Sequence, residues 1–198
     1  VFMGLHGENG ENGKVQAAFD LFGIKYTGGD YLSSAMAMNK SVTRMIFEAN
    51  NVPLAKGAKM TIDKKPKSAN ELGLNYPVVI KPSCGGSSIG VFYANNDDEF
   101  VENTEQSFAY ERELVIEEQI VGREFSCGVV SYEPLPVIEI IPKTGTYDFK
   151  NKYSKGATDE ICPADDSDEL RDKIHTAAKK AAIALVLDTY CRVDVLTD

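Results

Sequence analysis

Short apolar runs alternate with polar, glycine-rich turns along this chain of 198 residues. Runs of strand length, each bounded by turn residues, are typical of buried strands. They read YPVVI (76–80), ELVIEEQI (113–120), REFSCGVVSY (123–132) and LPVIEIIP (135–142). Other segments repeat apolar residues every three or four positions, which indicates helices. Because the strands follow one another as hairpins rather than alternating strictly with helices, the pattern predicts an α+β fold.

The same periodicity predicts which residues are buried. The helix that follows residue 40 should bury Val42, Met45, Ile46 and Ala49. Asp166 and Glu169 have the spacing of a capping box, which predicts the start of the last helix. The opening run VFMGL (1–5) predicts a short buried strand.

Composition excludes several classes of function. The net charge is −9, and Lys and Arg are not clustered, so we predict no nucleic-acid partner. No apolar stretch has the length of a membrane helix, so we predict no membrane partner. The four cysteines form no CxxC pair, which argues against zinc and suits a reducing compartment. The chain starts at Val1 and stops just after the apolar run VDVL, so we expect a fragment of a longer chain.

The segment KPSCGGSSIGV (81–91) suggests a nucleotide site. A lysine ends an apolar strand, and a loop of glycines and serines leads to a second apolar run. Backbone N–H and hydroxyl donors in such a loop could cover a polyphosphate, while Lys81 contacts it. A plain β-hairpin with a flexible tip is the alternative. The P-loop and dinucleotide-binding patterns both fail, at GENGENGKV (7–15) and CGGSSIG (84–90).

Three further segments carry candidate chemistry. In VIEEQIVGREF (115–125), a strand ends in the carboxylates of Glu117 and Glu118. The segment could offer backbone groups to an adenine ring and a carboxylate to ribose hydroxyls. Alternatively, one of the two glutamates is solvated and the other is ion-paired. In CRVDVL (191–196), the two-residue period puts Arg192 and Asp194 on one face. They suit phosphoryl chemistry or form a simple ion pair. HGENGENG (6–13) is either an anion-binding nest beside His6 or a strand–helix loop.

Taken in order, six motifs resemble the D-alanine–D-alanine ligase family of the ATP-grasp superfamily. They are HGENGENG, AMNKSVTR, VVIKPSCGGSSIGV, VIEEQIVGREF, YDFKNKY and CRVDVL. The resemblance implies an ATP-grasp fold in which two antiparallel sheets enclose ATP, preceded by the end of an α/β domain. It divides the chain into 1–39 (end of the N-terminal substrate-binding domain), 40–121 (central domain) and 122–198 (truncated C-terminal domain).

The resemblance also assigns roles by position. ATP would be contacted by Lys40, Lys81, Ser87, Ser88, Glu117, Glu118, Gln119, Ile120, Glu124 and Lys152. The two lysines correspond to phosphate contacts, Glu117 to Ile120 to the adenine-binding hinge, and Glu124 to the ribose carboxylate. Lys152 would reach the γ-phosphate from a mobile loop. The catalytic positions would be Ser87, Tyr153 and Arg192, the substrate positions His6, Tyr153 and Arg192, and the metal ligand Asp194.

The implied activity is ATP-dependent ligation of two D-alanines through an acyl phosphate, which supplies a peptidoglycan precursor for cell-wall biogenesis and cell shape. ATP with magnesium or manganese, a homodimer and a cytoplasmic location are implied as well. The alternatives are a ligase that makes D-alanyl-D-lactate or D-alanyl-D-serine, a non-catalytic ATP-binding fragment, or a purely structural fragment. The KY pair at 152–153 favours the dipeptide over the lactate product. Other residues of the family pattern fall outside the sequence, so we expect residues 1–198 to be incomplete for catalysis.

Overall fold

The computed structural model describes residues 1–143, 154 and 156–198. The first 49 residues contain the helices α1 (Glu8–Glu11), α2 (Lys14–Leu21), α3 (Tyr31–Met38) and α4 (Lys40–Ala49). Side-chain caps begin two of them: Asp30 accepts from the Ser33 N–H, and Asn39 accepts from the Val42 N–H. The predicted strand at 1–5 was wrong. This run has only isolated hydrogen bonds to residues 25–27 and no strand ladder, and Phe2 is exposed.

The first sheet is formed by β1 (Gly57–Thr61), β2 (Val78–Pro82), β3 (Phe92–Ala94) and β4 (Glu113–Glu118). Its strand order is β1-β4-β2-β3, with every neighbouring pair antiparallel. A short 3₁₀ helix (Asn70–Leu72) and helix α5 (Asp97–Phe108) complete this part of the chain. Alternate residues of the strands pack inward around Phe100, Leu114 and Ile116 to form its core.

The second sheet is also antiparallel and is built around β5 (Arg123–Val130). On one side β5 pairs with β6 (Glu133–Pro134) and β7 (Ile138–Pro142), and on the other with β9 (Tyr190–Thr197). Strand β8 (Thr158–Ile161) pairs with β7. Helix α6 (Asp168–Ala184) covers one face, where Ile174 and Ala178 pack with Phe125 and Val129.

Two details of the helices differ from the prediction. Helix α6 is capped by Ser167, whose hydroxyl accepts from the Leu170 N–H, and not by Asp166. Asp166 instead binds Arg171, with 2.7 Å between Oδ1 and Nη2. In α4 the buried residues are Ser41 and Arg44. Of the residues predicted to be buried, Val42 and Ile46 are half-buried, whereas Met45 and Ala49 are exposed. That helix therefore packs through a polar face, which apolar periodicity cannot detect.

The observed α+β fold with two antiparallel sheets confirms the predicted class. Each sheet has its own core, and the chain crosses from one to the other between Glu118 and Arg123. Gly122 lies at this crossing in tight contact with β9, since a Cβ there would be 1.8 Å from the Thr197 carbonyl oxygen. Within the described part of the chain, no helix combines the length and apolar character needed to cross a membrane.

Candidate functional site

Lys40 and Lys81 lie close together, although they belong to different elements. Lys81 lies on β2, and Lys40 is the first residue of α4. The Lys40 ammonium donates to the carbonyls of Pro82 (3.1 Å) and Gly85 (2.7 Å), so it is held at the start of the glycine–serine loop. Burial, and then the nearby positive charge of Lys81, lower the pKa of Lys40 below its ordinary value. Two cations are thus concentrated where β2 ends.

Ser83 fastens the two lysine-bearing elements to each other. Its carbonyl accepts the Lys40 N–H at 2.7 Å, and its N–H donates to the Glu113 carbonyl at 2.9 Å. Its fully buried hydroxyl lies within 3.1 Å of Asn39, Ser41 and Glu113. The start of α4 is therefore fixed against the first sheet at the residue that follows β2.

Residues 83–91 form the tip of the predicted hairpin. Strands β2 and β3 pair in antiparallel register, with Val78 opposite Ala94 and Ile80 opposite Phe92, as predicted. Ser87 (φ 55°) and Ser88 (φ 58°) both adopt the left-handed conformation, which is uncommon outside glycine. The Cys84 N–H donates to Glu111 at 2.5 Å and anchors the beginning of the loop.

Lys81 pairs with the carboxylate of Glu117, its diagonal neighbour on β4. The other oxygen of that carboxylate accepts from Arg44 of α4 at 2.6 Å. Burial by itself raises the pKa of Glu117, but the charges and hydrogen bonds of Lys81 and Arg44 outweigh it and leave this pKa below the ordinary value. The carboxylate is therefore ionised at neutral pH and shared between two cations.

The predicted hinge, Glu117 to Ile120, begins with the last two residues of β4 and continues into the segment that follows this strand. Glu118 points to the opposite face from Glu117, where its carboxylate accepts from the Asn75 N–H at 2.8 Å. The Glu118 N–H donates to the Lys56 carbonyl, and the Gln119 N–H donates to the Pro77 carbonyl. These two backbone donors hold the segment in place, and Ile120 is partly buried beside them.

The second sheet presents a small pocket of about 130 Å³. Arg192 and Asp194 lie on one face of β9, as the two-residue period predicted, with 3.0 Å between Nε and Oδ1. The Ser126 hydroxyl donates to the same carboxylate at 3.0 Å. The remaining lining residues include two more carboxylates and two isoleucines: Glu124, Glu160, Ile138 and Ile140.

His6 does not belong to either of these clusters. It is exposed, and its ring lies 3.9 Å from Glu11. Lys152 and Tyr153 lie outside the described residues, so their predicted loop positions stay predictions.

Asp194, the predicted metal ligand, could supply one carboxylate to a metal site. Among the described residues, no group of three or more His, Cys, Asp and Glu side chains is arranged to hold a metal ion. Mg²⁺ usually takes one or two protein carboxylates and completes its shell with water and substrate phosphates. The described residues therefore do not make a metal site by themselves.

Three residues around Lys40 and Lys81 were missed by sequence reasoning: Arg44, Ser83 and Gly57. Arg44 lies four residues after Lys40 and thus on the same side of α4, which is the one signal the sequence carried. Gly57 lies opposite Glu117 on β1, where a Cβ would be 2.9 Å from both the Arg44 Cζ and the Glu117 Cγ. Its missing side chain leaves room for the Arg44–Glu117 pair.

Comparison with known proteins agrees with this architecture. The sequence profile described as "D-ala D-ala ligase C-terminus" matches residues 45–198. A D-alanine–D-alanine ligase of Pediococcus pentosaceus is 40% identical over 199 residues, which is 100% of this chain and 56% of the relative. The ligase of Geotalea uraniireducens is 40% identical over 196 residues, covering 99% of this chain and 63% of the relative. The chain thus spans a little over half the length of these curated relatives.

Solved structures show the same fold. A D-alanine–D-alanine ligase from Bacillus anthracis superposes with a TM-score of 0.88 at 31% identity, covering 100% of this chain and 64% of that structure. The same organism's ligase complexed with ATP gives 0.85 at 30% identity, with the same coverage of each chain. VanG D-Ala:D-Ser ligase from Enterococcus faecalis gives 0.85 at 32% identity, covering 99% of this chain and 59% of that structure. The chain has the ATP-grasp fold and belongs to the D-alanine–D-alanine ligase family.

Proposed function

We propose that the protein to which this chain belongs joins two D-alanines into D-alanyl-D-alanine at the expense of ATP. The observation that carries this proposal is the meeting of Lys40 and Lys81 at the start of a loop rich in glycine and serine. Family membership and the likeness to a relative complexed with ATP support it. The whole activity is proposed for the complete gene product, since the chain covers only part of its relatives.

The lysines would neutralise the phosphates of ATP. An ammonium at the end of β2 and another at the start of α4 provide two positive charges at one place, and Ser87 and Ser88 add hydroxyl and backbone donors. Glu117 to Ile120 would line the adenine, and Glu124 would accept from the ribose hydroxyls. Lys152 would approach the γ-phosphate from its loop.

The reaction would proceed in two steps. A carboxylate oxygen of the first D-alanine attacks the γ-phosphorus, so that ADP leaves and an acyl phosphate forms. The amine of the second D-alanine then attacks the acyl carbon and loses a proton, and phosphate leaves. Arg192 would stabilise the negative charge of the tetrahedral intermediate. Asp194 would orient the Arg192 guanidinium through their 3.0 Å ion pair.

Other groups would bind the substrates and exclude water. His6 would lie near the first D-alanine, while Ser87 and Tyr153 would close over the substrates. Water must be kept out because it would hydrolyse the acyl phosphate.

Magnesium or manganese is part of the proposal, with Asp194 as one ligand. Such an ion would neutralise charge on the phosphates. Among the described residues no group of three candidate ligands is assembled, so the ATP phosphates and water would complete the shell of such an ion.

The acceptor of the second step has a specific alternative. The likeness to a D-Ala:D-Ser ligase at 32% identity keeps D-serine as a candidate acceptor. D-lactate and a non-catalytic ATP-binding module are the further alternatives, and the KY pair at 152–153 favours D-alanine over D-lactate. The domain limits 1–39, 40–121 and 122–198, a homodimer and a cytoplasmic location belong to the same proposal.

The test is phosphate release by the complete gene product with ATP and magnesium. Three mixtures are compared: D-alanine alone, D-alanine with D-serine, and D-alanine with D-lactate. We expect phosphate release in all three, with D-alanyl-D-alanine as the main product by mass spectrometry. A dominant mixed product would reassign the acceptor. Nucleotide binding without phosphate release under any of the three conditions would favour the non-catalytic module.

A further inference from the structure

Arg44 is a buried cation to which the proposed mechanism gives no role. Its side chain is 10% exposed, and its guanidinium faces the first sheet from helix α4. Nη1 donates to Glu117 at 2.6 Å and to the Ala55 carbonyl at 3.1 Å, while Nη2 donates to Glu48 at 3.3 Å. The planar fork of donors makes these contacts at once, which a single ammonium could not do in the same geometry.

We propose that Arg44 is a positioning residue for the nucleotide. It holds the Glu117 carboxylate in the orientation that fixes the Lys81 ammonium beside the glycine–serine loop. This inference rests on the proposed ATP site and adds a residue to it. The path is continuous: Arg44 donates to one oxygen of Glu117, and Lys81 donates to the other. Arg44 acts through Glu117 and is not itself placed against the nucleotide.

The residue opposite Glu117 on β1 is a glycine, which makes room for the Arg44 and Glu117 side chains. Gly57 lies opposite Glu117, and a Cβ there would be 2.9 Å from Arg44, 2.9 Å from Glu117 and 2.7 Å from the Ile116 carbonyl oxygen. Real Cβ atoms essentially never come so close to other heavy atoms. The Arg44–Glu117 pair therefore occupies the space that a side chain at position 57 would need.

Fixing Lys81 in advance has an energetic reason. A lysine side chain loses much of its rotamer freedom when it is immobilised. If Glu117 already restrains Lys81, less of that cost falls on ATP binding. The Glu117 carboxylate can do so because its lowered pKa keeps it ionised, and Arg44 is one of the two cations responsible.

The experiment is a double-mutant cycle on the complete gene product, with calorimetric Kd for the ATP analogue adenylyl imidodiphosphate and magnesium. We expect Arg44→Met to raise Kd about tenfold, the typical worth of a lost charge-assisted hydrogen bond. Glu117→Gln should also raise Kd. The Kd of the double variant should not exceed that of the single variant with the higher Kd. The KM for D-alanine should stay unchanged, and Arg44→Lys should lie between wild type and Arg44→Met.

The control is Arg112→Met, because Arg112 forms an exposed ion pair with Asp63 and should leave Kd at the wild-type value. Wild-type Kd in folded Arg44→Met, or losses that multiply in the double variant, would overturn the positioning role. If Arg44→Met does not fold, Arg44→Lys decides, and wild-type Kd in that variant overturns the role. A wild-type protein that does not bind the analogue would instead reject the proposed function itself.

Discussion

The backbone N–H of Lys40 donates to the carbonyl of Ser83 at 2.7 Å. This bond joins the first residue of α4 to the residue that follows β2, although 43 positions separate the two in the sequence. The Ser83 hydroxyl adds contacts to Asn39, Ser41 and Glu113. The positions of Lys40 and Lys81 therefore depend on one buried serine.

Ser83→Ala should weaken both the fold and the proposed nucleotide site. The change leaves buried polar partners without a hydroxyl, which typically costs about 1–3 kcal/mol of unfolding free energy. Urea denaturation measures this cost, and titration with an ATP analogue should show a raised Kd. Ser68→Ala is the matched control, since the Ser68 hydroxyl accepts an exposed hydrogen bond from the Glu71 N–H at 3.3 Å. Equal stability of the two variants would contradict the fastening role.

Phe100→Ala should destabilise the first core strongly. Phe100 is completely buried and packs edge-to-face with Tyr76, with 6.4 Å between ring centroids. A buried Phe→Ala change costs about 3–5 kcal/mol. Phe22→Ala is the control because that ring is 75% exposed, and its loss should change the unfolding free energy by no more than about 0.5 kcal/mol. Similar midpoints for the two variants in urea would mean that the core is assigned wrongly.

Glu117 should make stability depend on pH in the acid range. Its pKa in the folded protein is lowered from the ordinary 4.5, so its ionised form stabilises the fold above that value. The stabilisation is lost as pH falls through the folded-state pKa. The difference in unfolding free energy between wild type and Glu117→Gln should therefore be largest near neutral pH and shrink on acidification. A difference that stays constant from neutral pH to acid would show that the carboxylate is not held ionised by its partners.

Lys40 should set an alkaline limit on ATP binding. Because burial and Lys81 lower its pKa, Lys40 loses its charge at a lower pH than an ordinary lysine does. Affinity for ATP should therefore fall as pH rises through this lowered pKa. Lys40→Arg, whose guanidinium stays charged, should move the fall to higher pH in Kd measurements from neutral pH upward. An unchanged profile in that variant would remove Lys40 from the phosphate contacts.

Strand pattern and motif order predicted much of the fold. The hairpin of β2 and β3 followed from two apolar runs around a glycine-rich turn, and the shared face of Arg192 and Asp194 followed from the two-residue period. Both depend on local geometry, which sequence spacing determines directly.

The residues that join elements could not be predicted in the same way. Helix α4 buries Ser41 and Arg44 because their partners, Ser83 and Glu117, lie on distant strands. Apolar periodicity instead predicted that Met45 is buried, whereas the structure exposes it. The predicted strand at residues 1–5 was wrong for the same reason. A strand needs a neighbouring strand to pair with, and apolar residues alone do not supply one.

A crystal structure of the complete gene product with adenylyl imidodiphosphate and magnesium would locate the nucleotide directly. We expect the triphosphate within hydrogen-bonding distance of both Lys40 and Lys81, beneath the loop that carries Ser87 and Ser88. We also expect Arg44 and Lys81 to share the Glu117 carboxylate in that complex. A nucleotide bound elsewhere, or one whose phosphates contact neither lysine, would contradict the proposed ATP site.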